Sequence, residues 1–313
     1  MAEENVHRRY DDNFPFQVLM ETTSACNLRC VMCARESAFK SGRFKIGLMK
    51  RELAIKIIDE IADEAPDTRL WLCFFGEPLM SNDLFWRIAY AKEKGIHKTI
   101  INSNGNLIIS SNADKLIDAG LDEVYIGIDA ATPETYSQIR VRGNYEKLVQ
   151  NILYLVKKSK GKMKVTVQYA VYDENEHELE MFKEFWKDKD VEIFIRPKLT
   201  WINTLTEKSE KAKEHLERNP CPWIFDSFPV YFDGSVPYCI CDWYNRAPVG
   251  NINDSSIKAL WQGTMRKIRE LHLRAQWNKL PEFCQSCPDW KTKTLKGKLK
   301  ERFETYKLIQ TAI

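Results

Sequence analysis

Gln17-Val-Leu-Met-Glu-Thr-Thr-Ser-Ala-Cys26-Asn-Leu-Arg-Cys30-Val-Met-Cys33 is the stretch on which the fold turns. Its opening, Gln17 to Glu21, reads as a short apolar β-strand, and three cysteines follow in C-x3-C-x2-C spacing. Three thiolates can hold three irons of a [4Fe–4S] cube, which leaves the fourth iron open to a small chelating molecule. The alternative is a zinc knuckle or three structural thiols. A closed zinc site takes four N or S ligands, however, and no histidine lies nearby.

Downstream of this loop the pattern of strand and helix repeats. Strands read at residues 69–75, 98–102, 123–129, 164–171 and 191–197. Helical periodicity falls around Leu53, Ile57, Ile58 and Ile61, then at 82–94, 111–119, 145–159 and 177–187. Thr132-Pro133 has the form of an N-cap followed by proline at the first helical position, and Gly95 and Gly120 sit where helices should stop. Six strands alternating with helices predict an α/β fold, a parallel sheet with right-handed crossovers. Six β/α units give an open partial barrel, short of the eight that close one.

With 313 residues, 44% of them hydrophobic, the chain is long enough for one large domain and a smaller module. Lys and Arg total 47 against 44 Asp and Glu, so a net charge of +3 gives no argument for a nucleic-acid partner. The N-terminus has no signal-type apolar core, and no apolar run approaches the ~18 residues of a membrane span. A cytoplasmic protein is expected. Nine cysteines without a secretion signal point to metal ligation rather than disulfides.

The cysteine loop resembles that of the radical S-adenosylmethionine (SAM) enzymes, in which the amino and carboxylate groups of SAM chelate the open iron. The likeness covers roughly residues 14 to 200 and implies their partial (β/α)6 barrel, with ligands gathered at the C-terminal strand ends. Gly76-Glu77-Pro78, after the second strand, matches the Gly-Glu-Pro segment that contacts the SAM ammonium in this superfamily. Asn102-Ser103-Asn104-Gly105 is similar to the Thr-Asn-Gly after the third strand, which makes Asn102 and Asn104 candidates for SAM contact. Gly127-Ile128-Asp129 departs from the family's Ser-Leu-Asp-Gly at the first position, which puts a serine contact to SAM in doubt while Asp129 remains a candidate. Arg140 or Arg142 is the candidate partner of the SAM carboxylate, with a solvated helix arginine as the alternative. Met32 takes the place of an aromatic residue that packs on adenine in relatives.

Beyond residue 200 the composition changes. Residues 207–218 are nearly all charged, as in an exposed connecting helix, and Cys221, Cys239, Cys241, Cys284 and Cys287 follow in a region rich in Trp, Tyr, Pro and Gly. Asp233-Gly234 reads as a hairpin turn between short β segments. This layout, residues 201–290, resembles the twitch form of the SPASM module. The resemblance implies one auxiliary [4Fe–4S] cluster on Cys221, Cys239, Cys284 and Cys287, with Cys241 spare; a zinc site on four of these thiols is the alternative. Cys73, on the second strand, reads as a small buried hydrophobe. The tail, 291–313, places Leu295, Leu299, Phe303, Tyr306 and Ile313 on one helical face, for packing on the barrel or resting on a membrane surface.

Together these features resemble the twitch-bearing cyclitol dehydrogenases of aminoglycoside biosynthesis. They imply a polar small-molecule substrate, oxidation of a secondary alcohol to a ketone, and an electron donor such as flavodoxin or ferredoxin. Arg196, at the end of the sixth strand, and Glu174, just after the fifth, are candidates for substrate orientation or proton transfer. Three alternatives remain: a peptide maturase; a decarboxylase, dehydratase or epimerase of a sugar or nucleoside; and a plain iron–sulfur electron carrier. The first strand begins near Phe16, so a fused leader-binding domain of the kind many maturases carry is not expected.

Overall fold

Six strands alternate with helices, and all run parallel: β1 (Gln17–Met20), β2 (Arg69–Trp71), β3 (Lys98–Ser103), β4 (Glu123–Gly127), β5 (Lys164–Val171) and β6 (Glu192–Pro197). This computed structural model describes residues 11–42, 45–202, 218–292 and 300–305. The intervening helices are α1 (Ala34–Lys40), α2 (Arg51–Glu64), α3 (Leu84–Glu93), α4 (Ser110–Asp118), α5 (Pro133–Ile139), α6 (Tyr145–Ser159) and α7 (Leu179–Trp186). Each strand pairs with its sequence neighbour, as an open barrel requires. Helix α2 buries Leu53, Ile57, Ile58 and Ile61 against the sheet, each side chain contributing about 1.5–3 kcal/mol. The expected punctuation is present too: the Thr132 hydroxyl accepts the Thr135 N–H at 3.3 Å, and Gly95 and Gly120 adopt φ of +86° and +81°.

Two departures from expectation exceed the shifts of a residue or two at other element ends, such as β4 stopping at Gly127 rather than Asp129. β2 ends at Trp71 rather than Phe75, because the next ladder donors go elsewhere: the Asn102 N–H donates to the Cys73 thiol at 3.0 Å, and the Phe75 N–H donates to the Glu21 carboxylate at 3.3 Å. Helix α1 was not anticipated. It spans only seven residues, and its buried face comprises Ala34, Arg35 and Ala38, too small an apolar signal to read.

The C-terminal part holds α8 (Trp223–Asp226), β7 (Ser227–Val230), β8 (Ser235–Val236), β9 (Gly250–Asn251), α9 (Ile257–Gln262), α10 (Thr264–Leu273) and α11 (Glu282–Gln285). β7 joins the barrel sheet parallel to β1, making seven strands in the order β6-β5-β4-β3-β2-β1-β7. As an edge strand it accommodates Pro229. Asp233-Gly234 turns the chain between β7 and β8 as a tight hairpin turn, in which the Gly234 N–H donates to the Tyr231 carbonyl and the Tyr231 N–H to the Ser235 carbonyl, both at 2.9 Å; beyond the turn β7 pairs with β1 and β8 pairs antiparallel with β9. Phe303 is buried in the main core, whereas Leu295, Leu299, Tyr306, Ile313 and residues 207–217 of the charged stretch lie outside the described residues. Among the described residues no helix is long and apolar enough to cross a membrane.

Candidate active site and auxiliary metal site

The cysteine loop follows β1 and is held on both flanks by backbone. The Arg29 and Val31 N–H groups donate to the Val141 and Ile139 carbonyls, both at 3.0 Å, and the Glu77 N–H donates to the Ala25 carbonyl at 2.7 Å. Cys30 is buried, and Cys26 and Cys33 are partly so. Burial and the neighbouring Cys30 and Cys26 push the Cys33 thiol up to about 12, and burial raises Cys26 and Cys30 as well. The three sulfurs therefore share one electrostatic environment. Among the described residues, no group of three or more His, Cys, Asp or Glu side chains is disposed to hold a single metal ion. A cubane seats each thiolate on a separate iron, and the loop supplies three such thiols, one buried and two partly buried.

Gly76 lets the segment after β2 press against this loop. A Cβ there would sit 2.0 Å from the Thr23 carbonyl oxygen and 2.7 Å from that of Ala25. Glu77 is buried and braces the next loop, accepting the Ser103 hydroxyl and the Asn104 N–H, both at 2.8 Å. Burial pushes its carboxyl up to about 7 despite these donors. Asn104 in turn donates to Asn27 at 2.9 Å, and its amide lies 3.9 Å from the Cys26 sulfur. Gly76, Glu77, Pro78 and Asn104 are thus brought against the cysteine loop. Asn102 is exposed on the barrel interior, where its amide lies 3.4 Å from Gln168.

Asp129 and Arg140 are brought together with each other. Asp129 is fully buried at φ +58°, accepts the Ala170 N–H at 2.7 Å, and forms an ion pair with Arg140. Arg140 also lies 3.7 Å from the Cys30 sulfur. The missing serine now has a physical reason, because a Cβ on Gly127 would sit 2.3 Å from the Arg140 guanidinium. Both Asp129 oxygens are engaged within the protein, one by the Ala170 N–H and the other by Arg140. Arg142 is exposed at φ +74°, and Met32 is half-buried in the loop.

Arg196 lies at the end of β6 opposite Ala170, and its buried Nε has no hydrogen-bond partner among the described residues. Glu174 is exposed. The carboxylate engaged near it is Glu178, which accepts the Ala131 and Thr132 N–H groups at 2.6 and 3.2 Å and the Thr135 hydroxyl at 2.6 Å. A Thr-Pro cap gives no sequence sign of so distant a partner. An aromatic layer also escaped the sequence. Trp71 and Tyr125 have ring centroids 5.1 Å apart, and Tyr125 meets Phe194 edge-on at 6.5 Å. Alternation along β2, β4 and β6 carries that signal.

The second cysteine set converges. Cys221, Cys239, Cys241, Cys284 and Cys287 line one cavity in the C-terminal part. His272 is fully buried there and accepts the Cys221 N–H at Nδ1 over 3.3 Å, which leaves the proton on Nε2, 3.8 Å from the Cys284 sulfur. Burial lowers its pKa to about 3, so the ring is neutral. Arg218 approaches the same sulfur at 3.7 Å. Cys241 is hydrogen-bonded to Cys239. Ile202, Ile240 and Cys241 pack against Leu19 of β1 and Phe74, so the cavity adjoins the strand ends that carry the first site.

The chain belongs to the Radical SAM superfamily, whose model matches residues 20–185, more than half its length. An iron-sulfur cluster-binding domain of the SPASM type matches residues 221–288. A [4Fe–4S] cluster and SAM are accordingly its cofactors. Curated relatives include a GTP 3′,8-cyclase of Limosilactobacillus fermentum, 29% identical over 56% of this chain and 52% of that protein. An AdoMet-dependent heme synthase of Methanosarcina barkeri is 30% identical over 46% of this chain and 40% of its own. The chain thus spans about half or less of these relatives. Among solved structures, BtrN in complex with AdoMet and 2-DOIA matches with a TM-score of 0.65 at 17% identity, over 91% of this chain and 97% of BtrN. Streptococcus suis SuiB bound to precursor peptide SuiA matches with a TM-score of 0.67 at 13% identity, over 92% of this chain and 73% of SuiB. These likenesses show a shared fold.

Proposed function

We propose that this chain is a radical SAM oxidoreductase that converts a secondary alcohol of a cyclitol or sugar to a ketone. Cys26, Cys30 and Cys33 are assigned to the SAM-binding cluster, and Cys221, Cys239, Cys284 and Cys287 to one auxiliary cluster. When bound, the first cluster and SAM supply a 5′-deoxyadenosyl radical that takes a hydrogen atom from an unactivated carbon. Completing a ketone from the carbinol removes the hydroxyl proton and one further electron. The observation that carries the proposal is the five-thiol cavity beside the strand ends, a place for that electron to go. Arg196 and Asn102 offer donors to substrate hydroxyls at the barrel mouth, and Gly76–Pro78 with Asn104 would border SAM. The match to BtrN over nearly all of both chains supports an AdoMet enzyme acting on a ligand of the 2-DOIA kind.

A peptide substrate is the second reading, favoured by the match to SuiB in a structure that holds its precursor peptide. The test is deoxyadenosine release from reconstituted enzyme, SAM and dithionite against a panel of cyclitols, sugars and peptides. One ketone per deoxyadenosine with a polyol supports the proposal. Release stimulated only by peptides replaces it with the second reading.

A further inference from the structure

Burying a polar side chain is unfavourable unless its hydrogen-bonding groups find partners, and the C-terminal cysteine cavity buries several. His272 is fully buried; its Nδ1 accepts the Cys221 N–H, and its Nε2 proton has the Cys284 sulfur at 3.8 Å as its partner among the described residues. The Arg218 guanidinium reaches the same sulfur at 3.7 Å, fixed in place by donating to the Cys284 and Gln285 carbonyls. The Tyr238 hydroxyl, buried in the same cavity, also approaches that sulfur and finds no closer partner among the described residues. Trp277 braces both nitrogen donors: its ring lies 5.1 Å from the Arg218 guanidinium and meets His272 edge-on at 5.7 Å.

Three side-chain donors thus gather on one sulfur of the set. The Cys221 and Cys287 sulfurs take backbone N–H groups instead, from Trp223 and Asp289, and Cys241 is bonded to Cys239. Two charged side chains line the cavity: Asp289 accepts the Thr200 and Ile202 N–H groups at 2.7 and 3.0 Å, whereas Arg218 turns to Cys284. A neutral thiol is a weak acceptor and would leave these buried donors poorly satisfied. A thiolate is a strong one, and a charge-assisted hydrogen bond strengthens as negative charge on the sulfur grows. The cavity therefore fits a metal-bound thiolate at Cys284, and the fit improves when the metal group gains an electron.

We propose that His272, Arg218 and Tyr238 are positioning residues that act through the Cys284 sulfur to raise the reduction potential of the auxiliary cluster. The inference rests on the two-cluster oxidoreductase reading above and says which side chains make the second cluster able to take the electron. As the carbinol radical becomes a ketone, its O–H bond breaks, the C–O double bond forms, a proton leaves to a base, and one electron enters the cluster. The cluster gains one negative charge, and hydrogen bonds to its sulfurs favour that more charged state. Donors held rigidly by burial and by Trp277 need no reorganisation when the electron arrives.

Potentiometry followed by electron paramagnetic resonance tests this in the reconstituted full chain carrying Cys26→Ala/Cys30→Ala/Cys33→Ala, which isolates the auxiliary cluster. Adding His272→Asn keeps an acceptor for the Cys221 N–H and removes the donor to Cys284, so the equilibrium for reduction should fall about tenfold, or about 59 mV. His272→Gln, whose longer side chain returns an N–H to the Nε2 position, should recover most of that drop. Tyr238→Phe removes only the hydroxyl and should lower the potential in the same direction. An unchanged potential in His272→Asn with its iron retained overturns the proposal. So does an equal drop in the Asn and Gln variants, the mark of a merely structural histidine. Should His272→Asn lose its iron, an unchanged potential in Tyr238→Phe overturns it instead. No substrate is needed, so the outcome is independent of which alcohol or peptide is used, and only failure of the parent triple variant to bind any iron–sulfur cluster would strike the two-cluster reading itself.

Discussion

Replacing Gly76 by alanine puts a methyl group where two carbonyl oxygens already lie, 2.0 and 2.7 Å from the new carbon. Ordinary C···O contacts are about 3.3 Å or longer, so the segment after β2 and the cysteine loop must part by about 1 Å. Both walls are backbone, and no side chain can swing away. Parting breaks the Glu77 N–H bond to the Ala25 carbonyl at 2.7 Å, at about 1 kcal/mol, and overpacking adds about 1–3 kcal/mol. Anaerobic guanidinium unfolding of Gly76→Ala is therefore expected to show a loss of about 2–4 kcal/mol, accompanied by reduced iron retention. A variant within about 0.5 kcal/mol of wild type and fully loaded with iron would refute this account of the contact.

Other perturbations have equally definite outcomes. Asp129→Ala strips a fully buried partner from Arg140 and should cost about 3–5 kcal/mol in unfolding free energy; a loss below about 1 kcal/mol would contradict the pairing. Burial raises the Glu77 carboxyl from 4.5 to about 7, so the fold keeps a proton that the unfolded chain has released. Its stabilising contribution is complete below pH about 4.5 and is lost as pH rises through about 7. Denaturant curves of wild type and Glu77→Gln at several pH values should accordingly diverge in favour of the variant between pH about 5 and 8, and parallel pH profiles would count against it. Anaerobic reconstitution should return about eight irons per chain, and about four would remove the auxiliary cluster. Alanine at Cys26, Cys30 or Cys33 should abolish deoxyadenosine formation, whereas alanine at Cys221, Cys239, Cys284 or Cys287 should spare it more than product formation. Equal loss from both sets would deny them separate roles.

Much of the architecture was legible because parallel β/α units write themselves as short apolar runs and amphipathic helices. The spacing of Cys26, Cys30 and Cys33 and the Gly-Glu-Pro segment were legible for a different reason: local spacing alone carries their meaning. What escaped depends on contacts between distant parts of the chain. β7 pairs with β1 across more than two hundred residues, and its proline argues against a strand until its edge position is known. The Asp129–Arg140 pair explains why glycine occupies position 127, yet nothing local links the three. His272 shows the same limit: one histidine on an amphipathic helix reads as core, and only the fold sets it between Cys221 and Cys284.

The central claim is an iron left open at the Cys26–Cys30–Cys33 loop for SAM to chelate. Electron paramagnetic resonance of the dithionite-reduced protein, with Cys221, Cys239, Cys284 and Cys287 replaced by alanine, isolates that site. The account predicts a reduced [4Fe–4S] signal whose g-values shift when SAM is added. A signal indifferent to SAM, or a loop that binds zinc in place of iron, would contradict it.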